Sequence, residues 1–336
     1  MKAERIVAAA FVVLVSTAIV GFSAGDTGAS FTGTTTNPNQ TWNTQNVTPP
    51  ASFTSATSAI AGRIDLVWTA TTSPAGSHTL TYLVLRGPVG GPYSQIGTTA
   101  GLTYSDTPAS DGTYEYVVQT KIAQGAGFFT SGNSAVQSNK SDRTAPTMSA
   151  TCNGGSCAGW FNTSVTFVVS GNDGSGVGMG TATTNVDGAG AATSAAPRTV
   201  TVSGQSATHS VVYSGADAVG NASGNTSQTV KIDLTAPTAS GTFTANQGGT
   251  GTIALAWTAG SDALSGVAGY VIRRAVANTC PTATPAKYPT SVTVGVVTSY
   301  NWSGLTSGTG YCFYVQTTDN AGNLSAASLT QGTQAP

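Results

Sequence analysis

Few side chains in this sequence could do chemistry. It holds two histidines, His78 and His209, four cysteines and thirteen acidic residues. Nucleophilic catalysis needs a histidine beside a hydroxyl or thiol, with a carboxylate to orient the ring. His78 falls in a Ser/Gly turn and His209 in a Thr/Ser-rich strand, with no strand-to-helix elbow near either. A catalytic reading therefore requires His209 to stand beside an acid, or several acids to be buried together. Zinc is disfavoured because the cysteines fall in two distant places and neither histidine has metal-ligand spacing to them. The glycine-rich run Gly174–Gly180 has no helix after it to aim amide dipoles at a phosphate. Carboxylate pairs for glycoside cleavage stand in clefts deeper than small β domains form. The expectation is a protein that is not an enzyme and has no cofactor and no metal.

Four polar groups look most like motifs: Asp173 with Ser175-Gly176, Asp217 with Gly220-Asn221, Asp262 with Ser265-Gly266, and Asp319 with Gly322-Asn323. Asp and Asn fold back onto nearby amides and Gly takes positive φ, so these read as turns. Calcium needs six or more oxygens, and no segment has the dense Asp/Asn alternation of a loop ligand set. The calcium alternative rests on Asp173 and Asp217. Aromatic rings outside the core pattern are better candidates for contact with a ligand. Phe128 and Phe129 are neighbours, so on a strand they point opposite ways and one is expected at the surface. Trp302, close after Tyr300, and Trp42, in a polar stretch, complete the set. Flat rings on a polar surface stack on sugars or on partner proteins.

Composition narrows the setting. Charged residues are only 7%, and 12 basic against 13 acidic residues leave a net charge of −1. There is no field to draw in nucleic acid or an anionic membrane. Lys2 and Arg5 precede the apolar stretch Ile6–Val20, which is too short to span a bilayer and is followed by small residues suited to cleavage. This predicts a signal peptide over residues 1–29, with membrane attachment only if it is retained, then a Thr/Asn-rich leader over 30–47. The stretch GASFTGTTTNPNQTWNT (28–44) resembles the mature starts of exported bacterial proteins. The tail GTQAP shows no sorting signal, so a secreted or cell-surface protein held non-covalently is expected.

Four cysteines in an exported chain imply two bridges, with three connectivities open. Position selects Cys152 with Cys157, around NGGS, and Cys280 with Cys312. The second pair lies where the interval Tyr270–Tyr300 exceeds its counterpart Tyr82–Tyr104 by eight residues, so the bridge would pin a longer loop.

Short alternating stretches rich in Val, Thr and Tyr recur from Val47 onward, with almost no helical period. DRTAPT (142–147) and DLTAPT (233–238) repeat one frame and divide the chain into modules 48–141, 142–235 and 236–336. The first and third share one order of motifs. IDLVWTA answers IALAWTA, Tyr82–Arg86 answers Tyr270–Arg274, and Tyr114–Thr120 answers Tyr311–Thr317. Period two puts Ile64, Leu66 and Trp68 on one face, and Ile253, Leu255 and Trp257 likewise.

This order of Trp strand, Tyr strand and Tyr-x-aromatic strand resembles the fibronectin type III family. The resemblance implies that Trp68 and Trp257 are core and that the Tyr114 and Tyr311 hydroxyls tie back to backbone. The middle module, with GWFNTSVTFVVSGNDGSGVG, NVDG and a strand leading to DAVGN, resembles bacterial Ig-like repeats of surface proteins and secreted enzymes. The expected fold is all-β, three tandem Ig-like or fibronectin type III-like sandwiches after a signal peptide. The expected role is a non-catalytic modular protein of the bacterial surface or extracellular matrix, acting as spacer, adhesive or structural part. The alternative is a carbohydrate-binding accessory of a polysaccharide-degrading system. Expected partners are cell-wall or extracellular polysaccharide, or other surface proteins.

Overall fold

The computed structural model describes residues 47–336 apart from 59, 73–78 and 125–126. The signal peptide, the leader before residue 47, Trp42 and His78 lie outside the described residues. Those described form 23 strands and no helix, in two compact units. One comprises the described residues up to Thr144 with Ser175–Val177, the other Ala145–Gly174 with Gly178–Pro336.

The first unit contains β1 (Phe53–Thr57), β2 (Ile64–Trp68), β3 (Leu80–Gly87), β4 (Ser94–Thr99), β5 (Thr103–Asp106), β6 (Gly112–Gln124), β7 (Gly127–Thr130) and β8 (Gln137–Ser141). One sheet runs β1-β2-β5 and the other β4-β3-β6-β7, with β8 also on β6. Strand β2 alternates as the period requires: Ile64, Leu66 and Trp68 are buried while Val67 faces water. They meet Tyr82, Val84, Tyr116 and Val118 of the opposite sheet in one core, with the Trp68 and Tyr82 rings edge to face at 5.5 Å.

The second unit holds two further pairs of sheets. The first pair uses β9 (Thr147–Cys152), β10 (Trp160–Phe161), β11 (Val165–Asn172), β12 (Met179–Val186), β13 (Ala192–Ala195), β14 (Arg198–Val202), β15 (Ser206–Asp217) and β16 (Thr226–Ile232), ordered β14-β11-β9 and β10-β16-β15-β12-β13. Its core joins Val165, Phe167 and Val169 to Val211, Tyr213, Val230 and Ile232. The next pair uses β17 (Phe243–Gln247), β18 (Ile253–Trp257), β19 (Val267–Val276), β20 (Thr290–Val294), β21 (Ser299–Trp302), β22 (Gly310–Asp319) and β23 (Gln331–Gln334), ordered β17-β18-β21 and β20-β19-β22-β23. Both cysteine pairs are bridged as position selected. The Cys280–Cys312 bond draws the β19–β20 loop over the outer face of its sheet, where Tyr288 is buried edge to face on Tyr314 at 4.8 Å. Both corner tyrosines tie back: Tyr114 Oη donates to the Ser110 carbonyl at 3.0 Å, and Tyr311 Oη accepts the Thr306 amide at 3.1 Å.

The first and last sandwiches solve one position in two ways. Asp106 faces Ile64 across β2–β5, as Trp302 faces Ile253 across β18–β21. In the first, Asp106 accepts Arg86 Nη1 at 2.8 Å and the Tyr116 hydroxyl at 2.7 Å. In the last, Phe313 replaces that tyrosine, leaving no hydroxyl to satisfy, and Trp302 packs on Phe313 at 5.5 Å under the Arg274 guanidinium at 5.1 Å. An ion pair in one sandwich corresponds to a cation–π contact in the other.

Candidate functional site

Two regions stand out from this framework: the linker at Asp233, inside the second unit, and the β6–β7 hairpin of the first. The linker site begins with a local rule. At Asp217 and Asp319 the frame D-x-x-G-N-x-S folds identically. Asp319 Oδ1 accepts the amides of Ala321 and Asn323 at 2.9 and 2.8 Å, while Oδ2 accepts Asn323 Nδ2 at 2.8 Å. Asp217 makes the same three contacts with Val219 and Asn221. Gly220 and Gly322 take φ near 91° and 92°, which closes each turn at no steric cost. The serine that ends the frame then stands in for a ladder carbonyl. Ser325 Oγ accepts the Thr317 amide at 2.9 Å and Ser328 Oγ the Val315 amide at 3.0 Å. Ser131 and Ser134 do likewise for Thr120 and Val118 in the first unit. Asp173 Oδ2 accepts the Gly178 amide at 2.7 Å, again a turn contact.

Asp233 connects the two sandwiches of the second unit. It is 0% exposed. Its amide donates to the Phe161 carbonyl at 2.9 Å, in the earlier sandwich. Oδ1 accepts the Thr235 amide and Oδ2 the Ser265 amide, each at 3.0 Å, and Ser265 belongs to the later sandwich. Asn323 of the later sandwich donates Nδ2 to the Asp233 and Thr235 carbonyls at 2.9 and 3.3 Å. Burial pushes the Asp233 carboxyl up, but the Ser265 hydroxyl and the amides of Thr235 and Ser265 outweigh it and hold the group below the usual carboxylate range. Asp142, first residue of the other TAPT frame, is bound alike within the first unit, by the Thr144 and Val177 amides at 3.0 and 2.7 Å.

Asp233, Asp262 and Asp319 each bring a carboxylate oxygen to within 4.8 Å of the others. Three such ligands are half of what calcium requires. Asp262 Oδ1 already receives the Leu264 and Gly266 amides at 3.0 and 2.7 Å, so amides account for much of this charge.

His209 does stand beside an acid. Nδ1 lies 2.7 Å from Asp187 Oδ2, and Nε2 lies 3.0 Å from the Gly204 carbonyl. A catalytic histidine keeps one nitrogen for the nucleophile's proton. Here both nitrogens point at acceptors, so the pair acts as a brace.

Two sequence expectations are corrected, one at the β6–β7 hairpin and one at Trp302. Phe128 and Phe129 are both exposed, at 60% and 57%, because β7 is an edge strand and neither of its faces is covered. Lys121 Nζ lies 4.2 Å from the Phe128 ring centre. Trp302, expected as a surface ring, is core at 8% exposure, since the later sandwich uses it to fill the Asp106 position. Sequence reasoning missed the roles of Asp187 and Gln205, the reach of Asn323 to the linker, and the serine pairs. The twice-repeated D-x-x-G-N-x-S frame, and the Asp that opens both TAPT frames, were the available signals.

No family model matches the chain. Parts of two glucanases resemble it. Endoglucanase B of Cellulomonas fimi is 33% identical over 282 residues, covering 78% of this chain and 25% of that protein. Exoglucanase B of the same organism is 30% identical over 275 residues, covering 78% and 23%. The chain thus spans about a quarter of the length of these curated relatives. Among solved structures, the FN1–FN3 domains of chicken contactin are similar at TM-score 0.39 and 14% identity, over 86% of this chain and 99% of that one. A run of titin domains is similar at TM-score 0.40 and 14% identity, over 87% and 96%.

Proposed function

We propose that this chain is a non-catalytic, exported accessory of an extracellular polysaccharide-degrading system, built from modules 48–141, 142–235 and 236–336 and acting as a spacer whose joint at Asp233 is stiff. The observation that carries the reading is Asp233: a linker residue with no exposed surface, hydrogen-bonded to both neighbouring sandwiches, serves to hold them in one orientation. A freely swinging linker has no use for such contacts. The partial likeness to two glucanases supports the polysaccharide setting. The brace at His209 and the amide-bound carboxylates support the absence of catalysis. The test is release of reducing sugar from soluble and insoluble β-glucan by the purified chain. No release is expected, and turnover abolished by His209→Gln or Asp262→Asn would refute the reading.

A second reading, direct binding of polysaccharide, is favoured by the two exposed rings of the β6–β7 hairpin. It predicts retention on cellulose, chitin or peptidoglycan that is lost in the Phe128→Ala/Phe129→Ala double variant. No retention on any of the three removes it.

A further inference from the structure

His209 sits where three segments meet. Asp187, in the turn after β12, receives the ring at Oδ2 and the Ser210 amide at Oδ1, 2.8 Å away. Gly204, in the β14–β15 turn, offers its carbonyl to the other nitrogen. The next residue in that turn, Gln205, reaches the linker: its Oε1 accepts the Thr235 hydroxyl at 2.6 Å and the Leu234 amide at 3.3 Å. Hydrogen bonds at the two ends of the Gly204–Gln205 backbone therefore connect the imidazole to Leu234 and Thr235, the two residues after Asp233. All of it lies within the second unit.

A carboxylate and a carbonyl both accept only, so the two contacts together require the imidazolium. A neutral ring can keep one of them. The carboxylate is the stronger acceptor, so the neutral ring holds Asp187 and turns a lone pair toward the Gly204 carbonyl at 3.0 Å. We propose that His209 is a proton-operated clasp on the inter-sandwich linker, closed when the ring is charged and released from the Gly204–Gln205 turn when it is neutral. The inference rests on the spacer reading and adds its regulation: the junction is stiff while His209 is charged and loosens as the pH rises through the raised His209 value.

Asp187 is the charged group that acts on His209 among the described residues. The β14–β15 turn contributes only the carbonyl, and Val230 faces His209 from β16. Lys231 beside it lies over the Trp160 ring at 5.8 Å. Burial alone would lower the His209 value; the Gly204 carbonyl and Asp187 outweigh it and raise the ring above the ordinary histidine range.

The test uses the full chain with ring-labelled histidine, titrated by NMR from pH 5 to 9, alongside hydrogen exchange normalised for intrinsic rates. His209→Gln assigns the signal. In the wild type, protection of the Leu234 amide should fall at least threefold as His209 deprotonates, and in His209→Gln it should be low at both ends with no step. Asp187→Asn should move the His209 titration to lower pH. Wild-type protection that stays flat while His209 titrates, or a His209→Gln chain with full protection at pH 6, would overturn the clasp. Failure of the spacer reading would look different: disorder between the sandwiches at pH 6, whatever the state of His209.

Discussion

Replacing Asp233 with alanine should uncouple the sandwiches of the second unit. The side chain is fully buried and accepts the Thr235 and Ser265 amides at 3.0 Å each. Hydrogen bonds to a charged group contribute about 1.5–3 kcal/mol apiece, so two give about 3–6 kcal/mol. Removing one of three neighbouring carboxylates also relieves repulsion with Asp262 and Asp319, which favours the lower end, about 3 kcal/mol. For a unit of this size that is a drop of about 6–12 °C in Tm. Asp233→Asn keeps one acceptor and should lose roughly half as much, about 1.5 kcal/mol. Differential scanning calorimetry and urea unfolding of the full chain read both numbers. The alanine variant should also split one cooperative transition of the second unit into two. A loss below about 1 kcal/mol, with the transition intact, would mean that the amides find other partners and that the linker is no structural joint.

Three further outcomes follow from the same contacts. Ser325→Ala and Ser328→Ala each orphan a buried amide, of Thr317 and Val315, and should cost about 1–2 kcal/mol by urea unfolding, whereas Ser→Thr at either site keeps the acceptor. Loss of the Cys280–Cys312 bridge, which spans 32 residues, should cost about 4 kcal/mol, against about 2 kcal/mol for Cys152–Cys157, which spans 5, measured as the midpoint shift on paired Cys→Ser replacement. Thermal stability against pH should show two limbs. The Asp187 carboxyl is held low by His209 and the Ser210 amide, so its contribution is present above about pH 3.8 and lost as pH falls through the lowered value. The His209 contribution is complete below about pH 6.5 and lost as pH rises through the raised value, a limb that His209→Gln should erase.

Local pattern made much of the fold readable. Trp68 and Trp257 sit on strands whose alternation assigns the core face, and Tyr114 and Tyr311 open strands at corners where a hydroxyl reaches backbone four or five residues back. The cysteine pairs were readable because a shared scaffold exposed the longer loop around Cys280. Long-range partnership was not readable. Asp233 meets Ser265 and Asn323 at separations of 32 and 90 residues, so the sequence offered only a turn-forming acid before a TAPT frame. Trp302 looked exposed beside polar neighbours, and its burial depends on Phe313 lacking the hydroxyl that Tyr116 carries. Phe128 and Phe129 were expected to divide between core and surface, which holds for a covered strand and fails at the edge position of β7.

The most direct measurement of the stiff-spacer claim is the distance distribution between spin labels at Ala192→Cys and Ser291→Cys, one on each sandwich of the second unit, by pulsed electron paramagnetic resonance at pH 6. A joint held at Asp233 predicts one narrow distance that broadens in Asp233→Ala. A broad distribution in the otherwise unaltered chain, indifferent to Asp233→Ala, would contradict it.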